Sequence, residues 1–329
     1  MKKPAISSLG ATSMASAIAL LLHAPNATAA TLYWDGNGAG ATGNPPTAAV
    51  GGTGTWDSGT TANWWNGTAY QLWNGAGGED IADFRVAGGT VTASGTVNIN
   101  TLQLRVGTTN FTGGTINFTG SGIIDCNNAN NNNVFTSPLS GNLKIQGTGN
   151  TGTLAVAAPV ILSADNTGLT SLEVSMALDT NHIVVNHPGA FGPASASLKL
   201  TKGAINLGHN AAPNNNVPIS YNAVSTELAG GTIRARFSES TWKGATTLSA
   251  NSQIMTRSAA GVKVTFTNTA TINLGTNTLN LMASSASSGI ELNGVISGSG
   301  NLATANNVLG GGDNGTGVTV LGAANTFTG

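Results

Sequence analysis

Charge is scarce in this chain. Only 12 Lys and Arg and 13 Asp and Glu occur in 329 residues, 8% in all, with a formal net charge of −1. Soluble proteins average about a quarter charged residues. The solvent faces of a mostly helical fold draw on Glu, Lys and Arg, so that fold is excluded, as is an ordinary cytosolic α/β enzyme. A nucleic-acid-binding surface needs a dense Lys/Arg face, and none can be assembled from so few cations. Cysteine is nearly missing: Cys126 stands alone, so no internal disulfide can brace the fold. Aromatic residues make up 5%. What is abundant is Gly, at 46 positions, together with Asn, Thr and a 40% hydrophobic share rich in Val, Ile and Leu. That share is enough to bury a core, which excludes simple disorder. The class that remains is an all-β, Gly/Asn/Thr-rich protein of extracellular make-up.

The first 29 residues read as a secretory signal. Lys2 and Lys3 form a positive start, an apolar run is densest from Met14 to Leu22, and Ala27-Thr28-Ala29 offers small residues for cleavage. The run is too short to span a bilayer, which needs about 20 apolar residues, and no later stretch reaches that length. Cleavage near Ala29 leaves ten basic and thirteen acidic residues, so the exported part carries about −3. The last residues, Leu321 to Gly329, continue the interior pattern. They read as a repeat region cut in mid-pattern.

Apolar residues alternate with small polar ones in short runs: Val97-Ile99, Leu102-Leu104-Val106, Ile116-Phe118, Leu143-Ile145, Leu154-Val156, Leu198-Leu200, Val262-Val264-Phe266, Ile272-Leu274, Leu279-Leu281 and Ile290-Leu292. Period two over four to six residues predicts strands. Even the best helix candidate, 169–178, alternates through Leu172, Val174 and Met176. Many runs open with Gly-Thr and an apolar residue, as at 89–91, 95–97, 114–116, 152–154 and 231–233. Gly tolerates the positive φ of a corner and Thr favours extended backbone. A Gly corner and a short strand repeated many times describe a coil, with about 20–30 residues per turn. At some 20–25 residues and about 4.8 Å per turn, about 300 mature residues predict a rod roughly 60–70 Å long.

Asn suits left-handed turns, and at equivalent corners of stacked coils its amides can hydrogen-bond along the stack. The runs 127–133 and 214–216 concentrate it. Consecutive Asn cannot all occupy one corner, so 127–133 reads as a low-complexity loop. Residues 30–75 form a different region. Five of the six Trp lie there, Trp34, Trp56, Trp64, Trp65 and Trp73, with Tyr33 and Tyr70, among Gly, Asn, Asp and Pro. An open stack exposes unpaired backbone and apolar interior at its end, so an aromatic segment suits a cap. The same five Trp also suit a sugar-binding platform, which would require at least two exposed coplanar rings.

Three stretches resemble one family. Leu32-Tyr33-Trp34-Asp35-Gly36-Asn37-Gly38, with Gly52-Thr53-Gly54-Thr55-Trp56-Asp57 and Thr61-Ala62-Asn63-Trp64, resembles the start of bacterial proteins carrying autotransporter-associated β-strand repeats. Segment 292–302 (LNGVISGSGNL) resembles that family's "GVISGSGNL" unit, and 321–329 (LGAANTFTG) resembles its "LSGANTYTG" unit. The link between them, from Ala303 onward, departs from the family pattern. The resemblance implies a right-handed parallel β-helix passenger, secreted or displayed at the outer membrane. The family supplies no shared catalytic residues.

Motifs of chemistry are few. Residues 147–152 match G-x-G-x-x-G, but a strand pattern follows where a dinucleotide site needs a helix. No G-x-S-x-G occurs. Asp35-Gly36-Asn37-Gly38 begins like a calcium loop, but Pro46 stands where a bidentate Glu is required. A looser calcium site with Asp57 is the remaining cation reading, and 310–315 reads as a turn. Glu79, Asp80 and Asp83 beside Arg85 read as a solvated, charge-compensated loop. His182 and His187 are expected on opposite faces of a strand, and Arg234 and Arg236 on one face. The sequence therefore predicts an all-β, right-handed parallel β-helix: signal at 1–29, Trp/Gly-rich cap at 30–75, repeat region at 76–329. The expected role is structural or adhesive, with extracellular glycans or a host or matrix surface as partners. No cofactor, metal, nucleic acid or catalytic residue is expected. The alternatives are a polysaccharide lyase or hydrolase, with three or more carboxylates converging on an outer face, and a glycan module at the Trp cluster.

Overall fold

The structure, a computed structural model, describes residues 30–36, 51–75, 81–85, 87–105, 108–127, 132–148, 158–208, 217–257, 261–304 and 316–329. Every regular element among them is a β-strand. Most strands pair in parallel with the strand one coil away in sequence, which makes the chain a β-solenoid rather than a sandwich of antiparallel layers. Leu198, Thr226, Thr246, Ile272 and Ile296 occupy equivalent places, 28, 20, 26 and 24 residues apart.

The coil has three sides. The first face stacks eleven strands in parallel, from Thr31–Trp34 through Ile81–Phe84, parts of Gly89–Leu104, Thr109–Asp125 and Leu139–Gly147, then Gly168–Met176, Ser197–Lys202, Ser225–Ala229, Thr246–Ala250, Ile272–Asn273 and Ile296–Ser297. At about 4.8 Å per strand it spans about 50 Å. The second face also stacks eleven, ending with Ala204–Leu207, Thr232–Ala235, Ser252–Thr256, Thr278–Ala283 and Asn301–Thr304. The third face carries Ile219–Ser220, Ser240–Trp242, Lys263–Phe266, Gly289–Leu292 and Val318–Leu321.

The alternation read in the sequence is the inside-outside alternation of these strands. Leu102, Ile124, Ile145, Val174, Leu200, Leu228 and Leu248 form one inward ladder on the first face, each at most 3% exposed. Each such burial contributes about 1.5–3 kcal/mol. Phe111 and Phe135 stack within the lumen at 4.5 Å and 9°, and Phe84 meets Phe111 edge-on. The Gly corner holds at Gly95; before Thr115 and Thr232 the positive φ belongs to Gly113 and Gly230, one residue earlier, neither Gly88 nor Gly89 before Thr90 has a positive φ, and the opening at 152–154 lies outside the described residues. At Gly141 both constraints coincide. Its φ is +90°, and a Cβ there would lie 2.0 Å from the Phe118 carbonyl oxygen.

Asn does more than turn the chain. Asn166, buried, accepts the Leu139 N–H at 2.8 Å and donates to the Ala190 carbonyl at 2.7 Å, residues one coil back and one coil on. Asn133 brackets Thr109 and Pro159 the same way. Asn117 donates to the Asn98 amide oxygen at 2.8 Å, the amide ladder expected of stacked coils. Of the Asn runs, residues 128–131 and 214–216 lie outside the described residues, as do the strand expected at 154–156 and the motifs at 149–152 and 310–315.

Parallel stacking gives way at the N-terminal side. Thr31–Trp34 pairs in parallel with Ile81–Phe84 but antiparallel with Trp64–Trp65, which pairs antiparallel with Tyr70–Gln71. Trp34, Trp56 and Trp73 each pack on Trp64, and Trp56 on Trp73, at 4.6–5.2 Å; Trp34, Trp56 and Trp64 also contact Phe84, as one piece with the solenoid core.

Candidate functional site

Outward-pointing residues of the first face form ladders that run along the solenoid. In one ladder Lys144, Glu173, Lys199, Glu227, Thr247, Asn273 and Ser297 follow one another on successive strands. Beside it run Asn142, Ser171, Ser197 and Ser225. The charges alternate in sign because directly opposite like charges would destabilise the pairing. Lys144 meets Glu173 at 3.1 Å and Lys199 meets Glu227 at 3.1 Å, with side chains 34–44% exposed. The Ser249 hydroxyl donates to Glu227 at 2.6 Å, and together with the Lys199 ammonium it holds that carboxyl below the usual range. Two shallow hollows lie along this line, one beside Asn142, Lys144, Ser171 and Glu173, the other beside Lys199, Ser225, Glu227 and Ser249.

A second ladder occupies the N-terminal half of the same face: Tyr33, Asp83, Gln103, Asp125 and Gln146. Here the expectation of a solvated loop fails for Asp83. It lies on the strand Ile81–Phe84, fully buried, and is ion-paired with Arg85, whose guanidinium covers the Tyr33 ring at 4.3 Å. The contact with Asp83 raises the Arg85 pKa. Glu79 and Asp80 lie outside the described residues. Asp125 pairs with Arg105 at 3.2 Å. Asp83, Asp125, Glu173 and Glu227 thus sit two strands apart in sequence along the face, about 10 Å each time. An inverting pair of carboxylates needs one protonated partner and a water held between them. Between Asp83 and Asp125 stands Gln103, and each acid faces an arginine. No three of the described carboxylates converge.

The five Trp do not form a sugar platform. Trp34, Trp56, Trp64 and Trp73 are at most 2% exposed and Trp65 is 8% exposed. The pairs in contact meet at 45–85°, so no contacting pair is coplanar. Indoles that fill a core have no face left for a ring of sugar, and the polar ends are used inside as well: Trp34 Nε1 donates to the Gly52 carbonyl and Trp73 Nε1 to the Asn98 carbonyl.

The looser calcium reading finds its oxygens occupied. Asp57 accepts from the Thr60 and Thr61 amides and the Thr61 hydroxyl, which hold it in its low-pKa form against partial burial. Asp35 accepts from the Tyr70 phenol, whose pKa burial and that carboxylate push up to about 12. Among the described residues no three His, Cys, Asp or Glu gather as a metal set. His182 lies on the strand His182–Val185, but His187 falls beyond its end, so the two do not share a strand. Arg234 is buried on the strand Thr232–Ala235, its Nε donating to Asn206 Oδ1 at 2.5 Å, while Arg236 lies past that strand's end. Both arginines lie near enough to His182 to act on its charge. Cys126 is fully buried, and burial pushes its thiol pKa up.

The first-face charge ladder was not found by sequence reasoning. Its signal was present: 142–146 (NLKIQ), 171–175 (SLEVS), 197–201 (SLKLT) and 225–229 (STELA) each put a small polar residue two places before Lys or Glu. Comparison with family models, with curated proteins and with solved structures gives no match to this chain.

Proposed function

We propose that this chain is a secreted or surface-displayed structural and adhesive β-solenoid, of the kind found as a bacterial autotransporter passenger, acting through its first face rather than through a reaction. The observation that carries the reading is the state of the acids on that face. They are spaced along it, and each stands beside a cation, so the face is a flat, charge-balanced array of hydroxyl, amide and ionic groups. Such an array suits contact with a neutral polysaccharide or matrix polymer. The signal pattern at 1–29 and the family resemblance of 32–64, 292–302 and 321–329 support export. The buried Trp cluster, placed where parallel stacking gives way to an antiparallel hairpin, supports a capping role for 30–75.

The reading is tested by retention of the mature chain on beads coated with insoluble extracellular polysaccharide. Replacing Ser171, Ser197 and Ser225 together by Ala lowers retention at least fivefold, and Thr241→Ala on the third face leaves it unchanged. Equal retention of all three proteins overturns the assignment of the first face as the contact surface.

A further inference from the structure

The ladder Lys144, Glu173, Lys199, Glu227 has a property that a random mixture of charges lacks. Reversed in order, it becomes its own complement. A two-fold axis along the strand direction, midway between the strands of Glu173 and Lys199, turns a second copy so that its solenoid axis runs the opposite way. Lys144 then faces Glu227 of the other copy, and Glu173 faces Lys199. We propose that the first face binds a second copy of this chain in this antiparallel, face-to-face arrangement. The proposal rests on the reading of the first face as the contact surface, and it makes a second copy a competitor of the polymer for that face.

Three further observations favour this occupant. The axis falls near the middle of the face, with six of its eleven strands on one side and five on the other, so nearly the whole face overlaps. Eleven strands at about 4.8 Å, with about five residues of width at 3.3 Å, give roughly 800 Å² per partner, the size of a standard stable interface. The rest of the face causes no like-charge clash: Asp125 is brought toward the Thr247–Ser249 strand and Lys202 toward Ser175, while Asp83 is fully buried and presents no charge across the axis. The parallel alternative, with the two-fold along the solenoid, puts Lys against Lys and Glu against Glu on four successive strands. A polyanion or polycation is disfavoured because the four ladder charges sum to zero. An isologous contact of this kind closes as a dimer.

The test is trans-complementation followed by light scattering on a sizing column. The mature wild-type chain at low salt runs at twice the mass of a single mature chain, and falls to a single chain as salt screens the exposed charges. Glu173→Lys alone and Lys199→Glu alone each place like charges across the axis, and each runs as a monomer. Mixed, they face each other with opposite charges and recover the doubled mass. Recovery on mixing also shows that both variants are folded. A wild type that is monomeric at every concentration overturns the proposal, as does dimerisation of either single variant or failure of the mixture to recover. A monomeric wild type that is still retained on polysaccharide beads through Ser171, Ser197 and Ser225 leaves the contact-surface reading standing without its self-partner.

Discussion

At the scale of single residues, side-chain amides rather than disulfides join one coil to the next. Asn166 satisfies one buried N–H and one buried C=O on its two neighbouring coils, and no other residue type offers both groups at that length. Asn166→Ala orphans both partners. Each buried polar group left unpaired costs about 1–3 kcal/mol, so urea unfolding is expected to show a loss of about 2–5 kcal/mol; a change below 0.5 kcal/mol, roughly the background of surface substitutions, refutes the bracket. His182 sets an acid limit. Burial, reinforced by the nearby Arg234, Arg236 and Arg257, pushes its pKa down to about 3. The folded state therefore holds it neutral, while the unfolded chain takes up a proton below about pH 6.5. Its contribution is complete above that pH and is lost progressively as pH falls toward 3, amounting to about 2 kcal/mol by pH 5. His182→Gln is expected to flatten the stability curve between pH 6.5 and 5, where most carboxylates remain ionised; an unchanged slope excludes His182 as the cause.

At the scale of elements, the strands and corners were legible because both depend on local rules. Period two needs only a few residues, and a Gly corner announces itself. The first-face ladder was not legible, because its members lie 29, 26 and 28 residues apart and the coils differ in length. Only pairing of the coils puts Lys144 beside Glu173. Asp83 was misread for a related reason: next to Glu79 and Asp80 it has the composition of a loop, but its own strand is fixed by Ala82 and Phe84 pointing inward. Within the lumen the stack of Phe84, Phe111 and Phe135 links three coils. Phe135→Ala is expected to cost about 3–5 kcal/mol, the range for emptying a well-packed aromatic site. It should also loosen amide-exchange protection in the strands of Phe111 and Leu162, its neighbours in register, ahead of those of the third face. Uniform loss of protection along the whole chain would mean that the solenoid unfolds as one unit and that the coils are not separable.

At the scale of the whole molecule, the low charge, the single Cys and the excess of Gly, Asn and Thr have one cause. Parallel stacking satisfies backbone groups between coils, so each coil needs only an apolar inner residue, a corner and a small polar outer residue. The fold could be read because that rule repeats. The role of the Trp region could not, because an indole suits a core and a sugar face equally, and only its burial separates the two. On the proposed function the chain works by presenting a surface and transforms nothing. Incubation with a panel of extracellular polysaccharides, following both depletion of protein from solution and appearance of reducing ends or unsaturated products, tests this most directly. Binding without any product is predicted. Product that accumulates with time and disappears in Asp83→Asn or Asp125→Asn would contradict it.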